Sequence, residues 1–132
     1  MLTTIVRWEE SQMPPVVEWQ LWRQLRGAFK IDRMMFTPVM LEMADFHIEQ
    51  YDTMEHALIQ ASRGERVFLE STGSKGMLDI PDGDIVLITG NTQTSNIKHA
   101  NADEMYKIKS PQRTHLYPSE AAAIALAIRY GQ

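Results

Sequence analysis

The sequence predicts an α/β domain built on a mainly parallel sheet flanked by helices, and three observations carry that reading. Strand-like apolar runs alternate with helix-like segments along the whole chain. The clearest strand, Asp84 to Thr89 (DIVLIT), is apolar almost throughout instead of alternating, as expected of a strand covered on both faces. Three small polar loops, Ser71 to Gly76, Gly90 to Asn96 and Ser110 to Ser119, each follow a predicted strand, where parallel sheets place their ligands.

Thr3 to Trp8 is rich in β-branched and apolar residues and reads as the first strand, broken by the acids and paired prolines of EESQMPP. From Val16 to Phe29 apolar residues recur at helical spacing, with Arg23, Gln24 and Arg26 between them and Gly27 near the end. Asp32 to Met40 (DRMMFTPVM) reads as a short strand entering a loop at Pro38, and Phe46 to Tyr51 as a further short element. Asp52-Thr53 supplies an N-cap for a second helix carrying Met54, Ala57, Leu58 and Ala61 on one face and ended by Gly64. Arg66 to Glu70 (RVFLE) is a buried type of strand. Tyr106 to Lys109 is another short strand, closed by Pro111. Pro118-Ser119-Glu120 opens an Ala/Ile/Leu helix to Tyr130, with Gly131 as its stop.

The 132 residues, 44% of them apolar, suit a single domain over 1–132 with one core. Cysteine is absent, which excludes disulfides, thiolate metal sites and a Cys nucleophile. His47, His56, His99 and His115 form no i, i+4 pair, so no metal is expected. No run approaches the roughly 18 apolar residues of a membrane span. MLTTIVRWEE carries acids where a signal peptide would be apolar, and a cytoplasmic protein is expected. A net charge of −4 argues against gripping nucleic acid by bulk electrostatics. Two local basic sets remain: Arg23, Arg26, Lys30 and Arg33, and Lys98, Lys107, Lys109 and Arg113. Solvated surface charge accounts equally well for either. The Ser71–Gly76 stretch lacks the full phosphate-loop pattern, and Met77 stands where a Mg²⁺-binding hydroxyl is needed, so a nucleoside triphosphatase is rejected.

The order and spacing of IVRWEESQMPP, ERVFLESTGSKG, PDGDIVLITGN, YKIKSP and HLYPSEAAAIALAIRY resemble the knotted SPOUT class of RNA methyltransferases. Within that class they look most like the small single-domain tRNA ribose 2′-O-methyltransferases that act on the wobble nucleotide. The resemblance covers nearly the whole chain. It implies a trefoil knot in the C-terminal half, approximately residues 66–132, as one of the rare exceptions to unknotted folds. It further implies S-adenosylmethionine as cofactor, tRNA or rRNA as substrate, and a homodimer joined through the first and last helices. Glu70, Ser71, Thr72, Gly90, Ile108, Ser110 and Leu116 would form the cofactor slot. Without the resemblance, Gly90 is a strand-end turn residue and Ile108 and Leu116 are core.

The chain departs from the family at its catalytic positions. Where an Asn-x-Gly-x-x-x-Arg pattern follows the paired prolines, Val16, Glu18 and Trp22 stand for Asn, Gly and Arg, and Arg23 lies one residue on, a rotation of about 100°. Gly90-Asn91-Thr92 replaces Gly-Pro-Glu, and Tyr117 replaces the last motif's Asn. Arg23 and Tyr117, the latter with His115, are the candidate catalytic residues: the arginine would hold a phosphate, and the tyrosine would position or deprotonate the substrate. The alternatives for Tyr117 and His115 are a packed helix-entry aromatic and an exposed loop residue. Trp19 and Trp22 read as buried or dimer-interface aromatics more readily than as base platforms. These departures leave a rival open, a degenerate SPOUT-fold protein serving as a cofactor-binding or protein-interaction module. A third reading is an unrelated small-molecule-binding α/β domain.

Overall fold

The computed structural model describes residues 1–8, 14–39, 48–90, 96–108 and 116–131. Six strands form one all-parallel sheet: β1 (Leu2–Arg7), β2 (Arg33–Thr37), β3 (Glu49–Gln50), β4 (Glu65–Leu69), β5 (Ile85–Thr89) and β6 (Met105–Tyr106). Three helices accompany them: α1 (Pro15–Phe29), α2 (Met54–Gln60) and α3 (Pro118–Tyr130). The strand order is β3-β2-β1-β5-β4-β6. Each predicted strand and helix has a counterpart among the described residues, most with ends shifted by one or two positions; α2 already stops at Gln60, short of Gly64, β3 spans only Glu49–Gln50 and β6 only Met105–Tyr106, while Met40, Phe46, His47 and Lys109 lie outside the described residues. Short 3-10 turns at Met77–Asp79, Ile97–His99 and Ala102–Glu104 carry no apolar periodicity and are not legible from the pattern.

The central strands β1 and β5 are buried almost throughout because the sheet is covered on both faces. One face packs Leu2, Val6, Ile85 and Leu87 under Trp22 of α1 and Ala122, Ala125 and Leu126 of α3. The other packs Ile5, Val86 and Ile88 under Met54, Ala57 and Leu58 of α2. Alternation along each strand divides its side chains between the two layers.

Local chemistry sets the helix ends. Thr53 Oγ1 accepts the His56 amide at 3.1 Å and starts α2. Proline in the first turn starts both α1 and α3, where its missing N–H is no loss. α1 runs through Gly27 and stops at Lys30, whose φ of 53° is left-handed. At the sheet's N-terminal edge the N-terminal amine and Arg63 both bind Asp84, the latter at 2.8 Å. On the outer strand β3, Glu49 accepts two bonds from Arg33, at 2.8 and 2.5 Å, and one from the Tyr51 hydroxyl at 2.7 Å.

From β1 the chain moves outward to β2 and β3, whereas β5 and β6 lie on β1's other side. The sheet's direction of growth therefore reverses between β1 and β5. In open parallel sheets that reversal opens a crevice at the carboxyl ends of the strands.

Candidate functional site

The loops at that edge are held by backbone bonds of unusual reach. After β4, the Glu70 amide donates to the Tyr106 carbonyl at 2.9 Å, extending the β4–β6 ladder by one residue. The Gly73 amide turns back to the Glu70 carbonyl at 3.0 Å. Lys75 then meets β6 from its other edge: its amide donates to Met105 at 3.4 Å, and its carbonyl accepts from Lys107 at 2.9 Å. One continuous segment, residues 68–75, thus pairs with both edges of β6. Gly73 is where it crosses over. A Cβ there would lie 2.6 Å from the Tyr106 carbonyl carbon and 2.8 Å from its nitrogen, so only glycine fits between the two backbones.

This clasp brings together several of the residues expected to form the cofactor slot. Glu70 is half-buried and Ser71 and Thr72 are exposed on the loop. Gly90 directly follows Thr89, whose register partner is Leu69, so Gly90 stands level with Glu70. Ile108 continues the chain from β6 and packs, partly buried, against the larger core layer. Leu116 is half-buried ahead of α3. Ser110 and His115 lie outside the described residues, as do Asn91 and Thr92.

The two candidate catalytic residues stand on α1 and α3, which pack against each other on one face of the sheet. Arg23 is exposed. Its neighbour Trp22 is fully buried, edge-on to Phe36, and donates its indole N–H to Glu18 at 2.7 Å. Trp22 and Glu18, which stand where the resemblance would place Arg and Gly, are thus both buried in the core. Burial pushes the Glu18 carboxyl above its ordinary range, with the Trp22 hydrogen bond opposing. Tyr117 is the N-cap of α3 and remains partly exposed; its backbone amide is held by Glu120 at 2.8 Å.

Sequence reasoning missed Asn96. Its backbone amide donates to the Glu70 carboxylate at 2.8 Å. Its side chain is 0% exposed, yet among the described residues neither amide atom has a hydrogen-bond partner. The hydroxyls of Thr89, at the end of β5, and Ser119, in the first turn of α3, are likewise buried and without a partner among the described residues. An unpaired buried polar group costs about 1–3 kcal/mol. Asn96, bonded to Glu70, and Thr89, level with Leu69, both stand at the carboxyl edge of the sheet, where they fit a polar small molecule with donors and acceptors. No sequence pattern marked Asn96, because only the fold carries it into the interior.

No family model matches the chain, and no curated protein matches it in sequence. Solved structures do match. A Bacillus anthracis protein assigned as an RNA methyltransferase superposes with a TM-score of 0.76 at 15% identity, covering 99% of this chain and 95% of that one. A structure concerned with 2′-OH methylation of C/U34 on tRNA superposes with a TM-score of 0.74 at 15% identity, covering 100% and 95%. An AdoMet-bound rRNA methyltransferase from Sinorhizobium meliloti gives 0.63 at 15% identity, covering 98% of this chain and 55% of that one. Likeness at this identity is a likeness of fold, and this chain shares its all-parallel sheet and flanking helices with those proteins.

Proposed function

We propose that the chain is an S-adenosylmethionine-dependent RNA methyltransferase of SPOUT type whose C-terminal half is a trefoil knot holding the cofactor. The observation that carries this reading is the clasp of residues 68–75 around β6, with Asn96 and Thr89, buried and unpartnered among the described residues, beside Glu70 and Leu69. A chain segment enclosed by an earlier loop is what a knot requires. The fold shared with proteins described as RNA methyltransferases, one of them AdoMet-bound, supports both cofactor and substrate class.

Glu70, Ser71, Thr72, Gly90, Ile108, Ser110 and Leu116 would hold the cofactor, whose sulfonium supplies an electrophilic methyl group. A ribose hydroxyl is a weak nucleophile and needs a positioned base or a nearby cation. Arg23 would hold the substrate phosphate. Tyr117, on the rim of the loop cluster, would position the hydroxyl. The exposed Val16 and Val17 on α1 and Tyr130 on α3, the last stacked on Phe29 at 5.8 Å, support a homodimer through these two helices. No helix among the described residues is long and apolar enough to cross a membrane. A cytoplasmic location belongs to the same reading.

Calorimetric titration with S-adenosylmethionine and its demethylated product tests the proposal: dissociation constants near micromolar, about 8 kcal/mol, are expected. Absence of binding would sink it. A second reading, a cofactor-binding or interaction module without catalysis, is favoured by the buried Glu18–Trp22 pair in place of the family's Gly and Arg. Methyl transfer to bulk RNA that is lost in Arg23→Ala or Tyr117→Phe decides for the enzyme; cofactor binding without any transfer decides for the module.

A further inference from the structure

Across the reversal point from the cofactor loops, the same edge of the sheet carries a cavity of about 360 Å³ at the ends of β1 and β2. That volume is within the ~300–1000 Å³ usual for small-molecule sites. Its walls come from four separate parts of the chain. Arg7 ends β1 and Trp8 follows it, Thr37 ends β2 and Pro38 follows it, Asp52 and Glu55 flank the start of α2, and Lys98 and His99 lie on the Ile97–His99 turn. That turn is fixed by the His99 amide donating to Asn96 at 2.9 Å and the Ala100 amide donating to Ile97 at 3.1 Å.

The lining combines cations, carboxylates and one indole ring, the groups a nucleotide needs. Arg7 and Lys98 lie near enough to His99 to act on its charge, as does Glu55, while Glu70 acts on Arg7. Burial, with the charges of Arg7 and Lys98, holds the His99 imidazole below its ordinary range, and Glu55 opposes them. A phosphate would compensate the charges of Arg7 and Lys98 and accept a hydrogen bond from the His99 imidazole. Trp8 is half-exposed, and its indole N–H is anchored to the Pro38 carbonyl at 2.7 Å. A ring held at one edge with part of its surface open is a ready stacking platform for a base. Asp52 and Glu55 are exposed acceptors that could take ribose hydroxyls. Such a site can be stated only with the fold in hand, since Arg7 and His99 are 92 positions apart in the chain.

We infer that this cavity seats one nucleotide of an RNA strand, its phosphate against Arg7, Lys98 and His99, its base on Trp8 and its ribose hydroxyls facing Asp52 and Glu55. The inference rests on the RNA reading above and extends it from the cofactor loops to a second position along the bound strand. Among the described residues, Lys98, Asp52 and Glu55 are exposed to an approaching strand.

The test is fluorescence anisotropy with labelled bulk tRNA and with short oligouridine, at several salt concentrations. Lys98→Ala with His99→Ala together is expected to weaken binding about tenfold or more. It should also lower the salt slope by about 0.7 for each phosphate that is no longer neutralised. Trp8→Leu should weaken oligouridine binding with the slope unchanged. Arg63→Ala, which removes a positive charge at the opposite edge of the sheet, should leave affinity within about twofold. Cofactor titration should be the same for all four proteins; the melting temperature should be unchanged in the Lys98→Ala/His99→Ala protein and somewhat lower in Trp8→Leu, whose ring also packs against the core. Oligouridine should bind more tightly than oligodeoxyuridine. Wild-type affinity and slope in the double variant would overturn this inference while leaving the RNA reading standing. Binding of cofactor without any RNA by the wild-type protein would overturn the inference and the RNA substrate together; binding of neither would remove the methyltransferase reading as well.

Discussion

Gly73→Ala should destabilise the protein by about 2–4 kcal/mol, and the reason is local. The added methyl would sit 2.6–2.9 Å from three backbone atoms of Met105 and Tyr106, whereas carbon atoms attract best at about 3.5–4.0 Å. These neighbours are backbone and cannot swing aside as a flexible side chain could. Relief needs a displacement approaching ~1 Å of either the loop or β6, and overpacking of this kind costs about 1–3 kcal/mol. The same displacement strains the bonds from Glu70 to Tyr106, Lys75 to Met105 and Lys107 to Lys75, each worth about 0.5–1.5 kcal/mol. For a chain of this length one kcal/mol moves the melting temperature by about 3–4 °C, so a fall of about 7–15 °C is expected. Thermal and urea unfolding followed by circular dichroism measure it. Gly83→Ala is the control, because nothing lies within 4 Å of the Cβ it would add. A Gly73→Ala protein melting within about 2 °C of wild type would mean that β6 is not clasped between Phe68–Glu70 and Lys75, and a threaded chain would lose its support.

Two further perturbations address α1. Gly27→Ala adds a Cβ that meets nothing within 4 Å, on an exposed helical position, and should stabilise by about 0.5–1 kcal/mol, read as a rise in urea midpoint; a loss of stability would show that the helix does not run through to Phe29. Glu18→Ala leaves the buried Trp22 N–H without its acceptor and should cost about 1–3 kcal/mol. Glu18→Gln keeps an acceptor and removes the buried charge. Since burial raises the folded-state pKa of Glu18 above its unfolded value, wild-type stability should fall as pH rises from the ordinary glutamate range through the raised value and level off above it. The Gln variant should be more stable than wild type at neutral pH, with its advantage vanishing in acid. Parallel melting curves for the two proteins from acid to neutral pH would contradict a buried, titrating Glu18.

Burial and periodicity were legible in the chain, and most of the architecture followed from them. DIVLIT reads as a strand covered on both faces, and β5 is buried along its full length. Thr53, Pro118 and the apolar spacing of 16–29 mark helices because capping and periodicity are local properties. Neighbours across the sheet are not local. Only the tertiary structure inserts β5 between β1 and β4, places β6 outside β4 and returns Lys75 to its far edge. The same holds for the site. The loops after β4 and β5 could be named from their glycines and small polar residues, but the burial of Asn96 beside Glu70 could not. Nor could the convergence of Arg7, Lys98 and His99. Along α1 the fold shows why Arg23 is exposed while Trp22 is buried: consecutive helical residues point about 100° apart, and the core takes Trp22. A residue's own pattern records how much of it is hidden from water. What hides it is settled by long-range packing, because contacts between distant segments leave no period in the sequence.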